Sequence, residues 1–295
     1  MAAALVLGAS GQIGRFLVPR LLDGGHDLIL MSRVPRVSTH ARLRWIVGDL
    51  NDPATAQTLR ADTIFSLGPL DAFSTWLAHA RIGDVGRIVA FGSMSALSKR
   101  DSADPREREL AARLLASEAR VIDCAERRGT SWTLLRPTLI YGAGLDRSLS
   151  ALARFGMRWR IFPRVPGANG LRQPVHAADL ADACVAAADK PEAHARIYEL
   201  GGGERLSCAV MLDRVRRSLP ASVLPIPIPI FAARTAVKIA RLHPRGRAIP
   251  MAAVTRLRRD LVADDLPART DLGWNPRDFA PDATTWTAAG QPRVC

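Results

Sequence analysis

The chain has 295 residues, 48 % hydrophobic and 23 % charged, which is enough apolar material for one large domain or for a main domain with a smaller lobe. The formal net charge is +13, and all but three of the 41 basic residues are arginine. This balance suits an anionic ligand or surface, although a composition rich in arginine and alanine is equally typical of a GC-rich coding sequence. No basic helix carries interleaved aromatic residues, so we expect no nucleic-acid partner.

Cysteine usage and hydropathy exclude further classes of protein. Cys124, Cys184, Cys208 and Cys295 are widely spaced and form no Cys-x-x-Cys pair, which argues against zinc, other metals and redox chemistry. No uncharged apolar stretch reaches the roughly 18 residues that a membrane span needs. The first seven residues resemble a strand rather than a signal peptide, so we expect a cytoplasmic protein with reduced thiols.

A glycine-rich turn follows the first apolar run, at residues 4–7, and opens a helix. Gly8 permits a tight turn, Gly11 lets the backbone approach a phosphate, and Gly14 lets the helix pack on the strand. The N–H groups that open such a helix favour an anion, and the helix dipole adds to this preference. The turn therefore predicts a dinucleotide cradle made of Gly8, Ser10, Gly11, Gln12, Ile13 and Gly14.

Apolar strands alternate with helical periodicity through the first half of the chain. Continuously apolar strands predict a parallel sheet that is covered on both faces. We therefore predict an α/β fold with a Rossmann-type doubly wound parallel sheet, whose ligand lies beyond the carboxyl ends of the strands. The later strands are predicted at 28–31, 44–47, 63–67, 87–91 and 132–135, with helices starting at Asp52-Pro53 and covering 107–126.

Proline and glycine become frequent after residue 142. We assign residues 1–142 to the dinucleotide-binding domain and 143–295 to a smaller C-terminal substrate lobe with segments that return to the sheet. The apolar run at 224–230 is interrupted by prolines, which exclude a central strand position. Helices are predicted after it, over about 231–242 and 251–261.

The first of these helices places Arg234, Lys238 and Arg241 on one face, and Arg258 and Arg259 follow the start of the second. A basic amphipathic segment of this kind can lie on an anionic membrane, so peripheral membrane contact is one interpretation. The other interpretation is a lobe helix with a solvated basic face.

The end of the second strand indicates which nucleotide binds. An acidic residue usually stands there in NAD-binding folds, but this chain has Ser32-Arg33, which favours a 2′-phosphate and therefore NADP over NAD. The alternative is an exposed arginine in an arginine-rich chain. After the third strand, Asp49 is expected to accept a hydrogen bond from the adenine amino group and Leu50 to pack on the ring, unless Gly48-Asp49-Leu50 is only a helix-start turn.

Several segments occur in the order found in the extended short-chain dehydrogenase/reductase family, which includes sugar-nucleotide epimerases and dehydratases. Besides the glycine turn and Gly48-Asp49-Leu50, they are FGSMS at 91–95, RPTLIYG at 136–142, QPVHAADLA at 173–181 and YELGGG at 198–203. The chain resembles this family over nearly its whole length. The resemblance implies further cofactor contacts at Leu67, Gly68, Ser93, Pro137 and Ile140, and it makes Ser95 the residue that orients the substrate carbonyl.

The family's Tyr-x-x-x-Lys pair, its general acid and the lysine that lowers the acid's pKa, is missing. The chain has only two tyrosines, Tyr141 and Tyr198, and neither is followed by lysine four residues later. If Glu118 corresponds to an acidic residue that the family often has on this helix, the pair falls at Leu110 and Leu114. Shifted by one residue, it falls at Glu109 and Arg113.

Three residues are candidates to replace the missing acid: Tyr141, the only phenol near the cleft, Lys99, in the loop after the fifth strand, and His176, which can titrate near neutral pH. Arg172 is a candidate for binding a substrate phosphate or carboxylate, with a solvated position as the alternative.

We therefore predict an NADP-dependent oxidoreductase that transfers hydride to or from a carbonyl, imine or activated alkene of a small molecule, and the basic composition suits an anionic substrate. A non-catalytic nucleotide-binding assembly protein is the alternative, because family members in respiratory complex I also lack the Tyr and Lys pair. A redox-neutral isomerase or cyclase is the third hypothesis, since the fold alone does not distinguish these three functions. Many relatives dimerise, so a homodimer is also expected.

Overall fold

The computed structural model describes residues 3–38, 40–52, 59–80, 82–229 and 256–287. The strands of its main sheet are β1 (Ala3–Leu7), β2 (Asp27–Ser32), β3 (Leu43–Val47), β4 (Thr63–Ser66), β5 (Arg87–Phe91), β6 (Ser131–Pro137) and β11 (Arg196–Leu200). Shorter strands are β7 (Ile140–Tyr141), β8 (Ile161–Arg164), β9 (Leu171–Arg172), β10 (Val175–His176), β12 (Leu206–Ser207) and β13 (Leu224–Pro227). The helices are α1 (Gly14–Asp23), α2 (Leu70–His79), α3 (Ser95–Ser98), α4 (Pro105–Glu126), α5 (Leu149–Trp159), α6 (Ala177–Asp189), α7 (Cys208–Arg217) and α8 (Leu266–Leu272).

The main sheet has seven parallel strands in the order β3-β2-β1-β4-β5-β6-β11. Leu5 of β1 lies between Ile29 of β2 and Ile64 of β4. Because the strand order reverses at β1, a crevice opens between β1 and β4 at their carboxyl ends, where doubly wound folds bind ligands. The predicted Rossmann-type α/β fold is confirmed.

Alternate side chains of each strand enter different cores. Ala4 and Val6 pack with α1 and α6, whereas Leu5 and Leu7 pack with α2 and α4 on the opposite face. All four side chains are essentially inaccessible to solvent. The sheet is thus buried on both faces, which explains why its strands have continuous apolar sequences rather than alternating ones.

The second half of the chain builds a separate core and also contributes to the main sheet. Tyr141, Phe162, Met211, Phe279 and Trp286 belong to one buried cluster in this half. In contrast, α6 covers the sheet and β11 extends it beside β6. The domain boundary at residue 142 remains a prediction. Within the described ranges, no helix combines the length and hydropathy needed to cross a membrane.

Helix ends account for most differences from the sequence predictions. Helix α4 begins two residues earlier than predicted, because the Asp104 side chain accepts a hydrogen bond from the Arg106 N–H and Pro105 occupies the first turn. The helix predicted over 251–261 is wrong in its last part, since residues 257–259 form turns and a bend and Leu261 makes a bridge to Arg172. Residues 53–58 and 231–242, where two other helices were predicted, lie outside the described part of the chain.

Gly14→Ala tests the contact that positions α1 on β1. A Cβ atom at residue 14 would lie 2.2 Å from the Ala9 carbonyl oxygen, so we expect this substitution to lower the free energy of unfolding by about 2–3 kcal/mol. Gly83→Ala is the control, because its Cβ would meet no atom closer than 3.5 Å and should change stability by less than about 0.5 kcal/mol. Urea unfolding monitored by circular dichroism measures both. Equal stability of the two variants would contradict the prediction.

Candidate functional site

The glycine turn brings the end of β1 against the loop that follows β4. Gly8 has φ +88°, and a Cβ there would lie 3.2 Å from both the Gly68 nitrogen and the Leu67 carbonyl carbon. The Gly11 N–H donates to the Gly8 carbonyl oxygen at 2.9 Å, which closes the turn. Only glycine combines this positive φ with so close an approach. Two predicted cofactor residues, Leu67 and Gly68, are thereby placed next to a third.

The start of α1 has no side-chain cap. Ile13 stands at the N-cap and makes no capping hydrogen bond, while the Arg15 and Phe16 N–H groups donate to the carbonyl oxygens of Gly11 and Ile13. Beside it, the Gln12 amide oxygen is buried and has no hydrogen-bond partner among the described residues. A helix start without a side-chain cap favours an anion such as a phosphate, whereas the Gln12 oxygen is an acceptor and needs a donor, such as a hydroxyl group of the ligand.

A cleft of about 560 Å³ extends from this turn across the ends of β1 and β2. Seven predicted cofactor residues line it: Gly8, Ser10, Ser32, Arg33, Asp49, Leu50 and Gly68. Ile13 and Gly14 are buried beneath the turn rather than exposed in this cleft. Asn51, Pro69 and Ala72 are further lining residues that the sequence analysis did not identify.

Arg36 is the most informative residue that the sequence analysis missed. It lines the cleft together with Arg33. Its Nε donates to the Ser32 hydroxyl at 3.3 Å, and its guanidinium carbon lies 5.1 Å from the centroid of the Trp45 ring. Ser32 and Trp45 thus hold Arg36 in place beside the more exposed Arg33. The available signal was a second arginine three residues after Arg33, with a tryptophan on the neighbouring strand.

Asp49 lines the cleft after β3 as an ionised carboxylate. Its Oδ1 accepts from the backbone N–H of Asn51 at 2.9 Å and from the Asn51 amide at 3.0 Å. The hydrogen bond from the backbone N–H of Asn51 lowers the pKa of Asp49 against the opposing effect of desolvation, and the Asn51 side chain and the charge of Arg33 lower it further. A carboxylate here can accept a hydrogen bond, as the adenine interpretation requires.

The loops after β5 and β6 meet at the same carboxyl edge of the sheet, on the far side of β4 from the glycine turn. The Met94 N–H donates to the Pro137 carbonyl at 3.1 Å, and the Ser95 N–H donates to the Ser93 hydroxyl at 3.1 Å. The predicted cofactor residues Ser93 and Pro137 and the predicted substrate-orienting residue Ser95 therefore belong to one hydrogen-bonded unit. Ile140 follows on β7 and packs against the core that contains α1 and α6.

Lys99 lies one helical turn after Ser95. Its N–H donates to the Ser95 carbonyl at 3.3 Å, so the two side chains leave the same side of this turn. Burial, together with the nearby charge of Arg256, lowers the pKa of the Lys99 amine. Among the described residues, no carboxylate pairs with this amine. The neighbouring carboxylate of Glu107 instead pairs with Arg256 and accepts from the Ser102 hydroxyl.

Burial along α4 shows which two residues occupy the positions of the missing catalytic pair. Leu110 and Leu114 are partly buried, whereas Glu109 and Arg113 are exposed. Arg113 points away towards α2, where its Nε lies 3.4 Å from an Asp71 carboxylate oxygen. The inward positions are therefore the two leucines, which provide neither a proton donor nor a cation.

Further along α4, Glu118 is buried and paired with Arg136 at the end of β6. The Arg136 Nε and one terminal nitrogen bind separate carboxylate oxygens of Glu118, at 2.9 Å and 2.5 Å. A Cβ at Gly92 would lie 2.6 Å from the Glu118 Oε1, so glycine is needed where β5 ends. This bidentate pair fixes α4 against the loops that carry Ser93 and Pro137.

The Tyr141 side chain is buried in the core of the second half of the chain and does not line the cleft. It is only 2 % exposed and makes edge contacts with the rings of His176 and Phe279. Burial and the negative charge of Asp179 raise the pKa of Tyr141 well above its ordinary value. These contacts do not support its predicted role as the replacement acid.

His176 is a helix cap. Its Nδ1 accepts from the Ala178 N–H at 3.1 Å at the start of α6, and its Nε2 lies over Gly142, where a Cβ would come within 2.1 Å. Burial and the positive charge of Arg277 lower the pKa of His176 to about 4, so the ring is neutral at pH 7. A neutral capping imidazole explains this residue without a catalytic or substrate-binding role.

Arg172 is buried and holds two segments together, which corrects both expectations for it. Its guanidinium donates to the carbonyl oxygens of Leu171, Arg259 and Arg256 at 2.6–2.8 Å. Only 7 % of the residue is exposed, so it is not a solvated cation, and three carbonyl partners leave little for a substrate anion. Sequence could not show this, because two of the three carbonyls, those of Arg256 and Arg259, come from a segment more than 80 residues later.

Comparison with known proteins supports the nucleotide-binding interpretation. The profile of a family described as NAD(P)H-binding matches residues 8–191. NADH dehydrogenase [ubiquinone] 1 alpha subcomplex subunit 9 of Arabidopsis thaliana is 27 % identical over 252 residues, which cover 76 % of this chain and 61 % of the relative. UDP-glucose 4-epimerase of Vibrio cholerae is 24 % identical over 54 % of this chain and 46 % of its own length. The chain thus spans less than two thirds of either relative.

Solved structures show the same fold over nearly the whole chain. An epimerase from Methanothermobacter thermautotrophicus superposes with a TM-score of 0.72 at 16 % identity, covering 96 % of this chain and 90 % of its own. UDP-glucuronic acid 4-epimerase from Bacillus cereus, in complex with NAD, gives 0.69 at 14 % identity and covers 96 % of both chains. The resemblance to the extended short-chain dehydrogenase/reductases is therefore confirmed at the level of fold.

The cap at His176 predicts a pH dependence of stability. The folded chain holds this imidazole neutral down to about pH 4, whereas an unfolded histidine takes up its proton near pH 6.5. The unfolded state therefore gains protons first, and stability falls as the pH drops from 6.5 to 4, by about 1–2 kcal/mol after allowing for solvent access to the ring. His176→Asn keeps a capping acceptor without the titration.

Urea unfolding at several pH values should show a smaller loss between pH 6.5 and 4 for His176→Asn than for the native chain. His79→Asn is the control, because His79 is exposed on α2. An unchanged pH dependence in His176→Asn would show that its imidazole does not titrate differently on folding.

Proposed function

Because the chain belongs to the NAD(P)H-binding family, with the fold of the extended short-chain dehydrogenase/reductases, we propose that it is an NADP-dependent oxidoreductase. The reaction is hydride transfer to or from a carbonyl, imine or activated alkene of a small molecule. The observation that carries the proposal is the paired Arg33 and Arg36 in the cleft after β2, where NAD-binding folds usually have a carboxylate.

The residues present fit a dinucleotide with a 2′-phosphate. Arg33 and Arg36 supply two guanidinium groups for that phosphate, and Ser32 and Trp45 fix the second of them. The uncapped start of α1 receives the pyrophosphate, and the unit formed by Ser93 and Pro137 borders the nicotinamide. When bound, the cofactor supplies or accepts the hydride.

Ser95 and Lys99 are the residues proposed to handle the substrate. In reduction of a carbonyl compound, the carbonyl carbon gains a hydride and its oxygen gains a proton, which gives an alcohol. Ser95 donates a hydrogen bond that orients the oxygen, and the Lys99 ammonium supplies the proton and recovers it from water. The lowered pKa of Lys99 and its position one turn after Ser95 support this assignment.

Cofactor preference tests the paired arginines. We expect the native chain to bind NADPH more tightly than NADH, and Arg33→Ala/Arg36→Ala to weaken NADPH binding roughly 10- to 100-fold with little change for NADH, because only NADPH carries the extra phosphate. Isothermal titration calorimetry measures both constants. Arg44→Ala, at an exposed arginine on β3, is the control. Tighter binding of NADH by the native chain would refute the NADP assignment.

The acid assignment is tested with Lys99→Met. Screening carbonyl, imine and alkene compounds by loss of reduced-nicotinamide absorbance identifies a substrate, and with it we expect kcat to fall about 10²- to 10⁴-fold in the variant while NADPH affinity is kept. The alkaline limb of the pH–rate profile should disappear too. Lys190→Met, at the end of α6, is the control. Unchanged kcat in Lys99→Met would exclude Lys99 as the acid.

A non-catalytic nucleotide-binding protein is the second candidate. It is favoured by Leu110 and Leu114 on the inward face of α4 and by the similarity to the subunit 9 proteins of Arabidopsis thaliana and Mus musculus, the latter 28 % identical over 48 % of this chain and 38 % of its own length. Tight NADPH binding without turnover on any compound of the panel would support this candidate over the oxidoreductase.

A further inference from the structure

An apolar patch is exposed on the second half of the chain, away from the residues that line the nucleotide cleft. It consists of Phe155, Trp159, Ile161, Leu224 and Ile226, each of them a large hydrophobic residue more than one third exposed. Trp159 and Leu224 are the most exposed, at 58 % and 62 %. Scattered apolar residues are normal on a protein surface, but these five are neighbours in the fold.

Helix and strand geometry places them together. Phe155 and Trp159 are four residues apart on α5, so they share one face of the helix. Strand β8 begins two residues after Trp159 and pairs in parallel with β13, with Ile161 opposite Leu224.

The next outward pair continues the same surface. Pro163 of β8 stands opposite Ile226 of β13, while Phe162, between Ile161 and Pro163, is buried on the other face. Alternation along the strands therefore aligns these outward side chains on the solvent side of the ribbon. Only Arg160 separates Trp159 from Ile161, so the end of α5 adjoins the start of this ribbon face, while Gly156 of α5 packs against Phe162 on the buried side.

Arginines border this patch. Arg154, Arg158, Arg160 and Arg164 are all exposed, and the Arg158 guanidinium carbon lies 5.4 Å from the Trp159 ring centroid. The residues of the patch fall in two sequence stretches, 147–178 and 214–259, that hold 17 of the 41 basic residues and none of the 28 acidic ones. The rest of the chain has 24 basic and 28 acidic residues. These stretches of sequence are thus basic, and on the patch itself the described cations are the four exposed arginines, with Asp213 nearby in a pocket that Arg164 and Pro225 also line.

We propose that this patch docks on the surface of an anionic phospholipid bilayer. Tryptophan and phenylalanine enter the boundary between headgroups and acyl chains, while arginines reach the lipid phosphates and keep their stems on the apolar surface. Charge complementarity selects this occupant, because anionic lipids supply apolar and negative groups side by side. A second copy of the chain would bring one arginine border against another, which like-charge repulsion disfavours.

Vesicle sedimentation tests the proposal. We expect the native chain to sediment with phosphatidylglycerol-containing vesicles, to stay in solution with pure phosphatidylcholine vesicles, and to be released as the salt concentration rises. Trp159→Ser/Leu224→Ser and Arg158→Glu/Arg164→Glu should each weaken partitioning about tenfold or more. NADPH affinity and thermal unfolding, measured on the same samples, should match the native chain and thereby show that the variants are folded.

Matched controls separate the patch from general apolarity and charge. Leu266→Ser removes a leucine that is 67 % exposed on α8, and Arg106→Glu/Arg196→Glu reverses two exposed arginines on α4 and β11. Both controls should bind vesicles as the native chain does. The proposal is overturned if the native chain ignores anionic vesicles, if the controls lose as much binding as the patch variants, or if light scattering shows a dimer that Trp159→Ser/Leu224→Ser dissociates.

Discussion

The close approach of α1 to β1 is the constraint on which the nucleotide site depends. Gly14 has no room for a side chain, because the Ala9 backbone occupies the space where a Cβ would lie. This contact fixes the start of α1 directly beyond the carboxyl end of β1, beside the reversal in strand order. A helix held even slightly further away would direct its first N–H groups past a phosphate bound at the turn. The cleft with its two arginines begins at this turn, and the unpartnered Gln12 oxygen lies just before the start of the helix.

A second fixed contact, between Glu118 and Arg136, explains how the frame can persist without the family's usual catalytic pair. The two side chains are buried and joined by two hydrogen bonds, and removal of one partner of such a pair typically costs about 3–5 kcal/mol. They hold α4 against the ends of β5 and β6. This contact does not depend on whether the two positions one and two helical turns before Glu118 hold the family's Lys and Tyr or, as here, Leu114 and Leu110. The packing of this fold therefore does not require the catalytic pair, and the candidate acid lies in the segment that carries Ser95 and Lys99.

Local sequence signals predicted the fold well, because they depend on neighbours in the chain. The bounds of β5 agree with the prediction, and the glycine turn, Arg33 and Asp49 lie at the cleft as expected. The failures involve distant partners. Arg172 is buried by carbonyls of residues 256 and 259, and His176 is neutralised by packing against Gly142 and Tyr141. Arg36 is a different case, because its partners Ser32 and Trp45 are close in sequence, but their contact with it depends on the pairing of two strands.

Charge is distributed unevenly, and this links the two proposed surfaces. Within the cleft, the positive charges of Arg33 and Arg36 lie near the negative charge of Asp49, so the field that acts on a bound phosphate is confined to the site. The patch formed by α5, β8 and β13 is bordered by four exposed arginines, with Asp213 near Arg164, so its positive field extends outward and weakens with salt over about 10 Å. A small anion is best bound by the first arrangement, in which a few fixed donors converge. A broad anionic surface is best bound by the second, because many exposed arginines act together around an apolar centre.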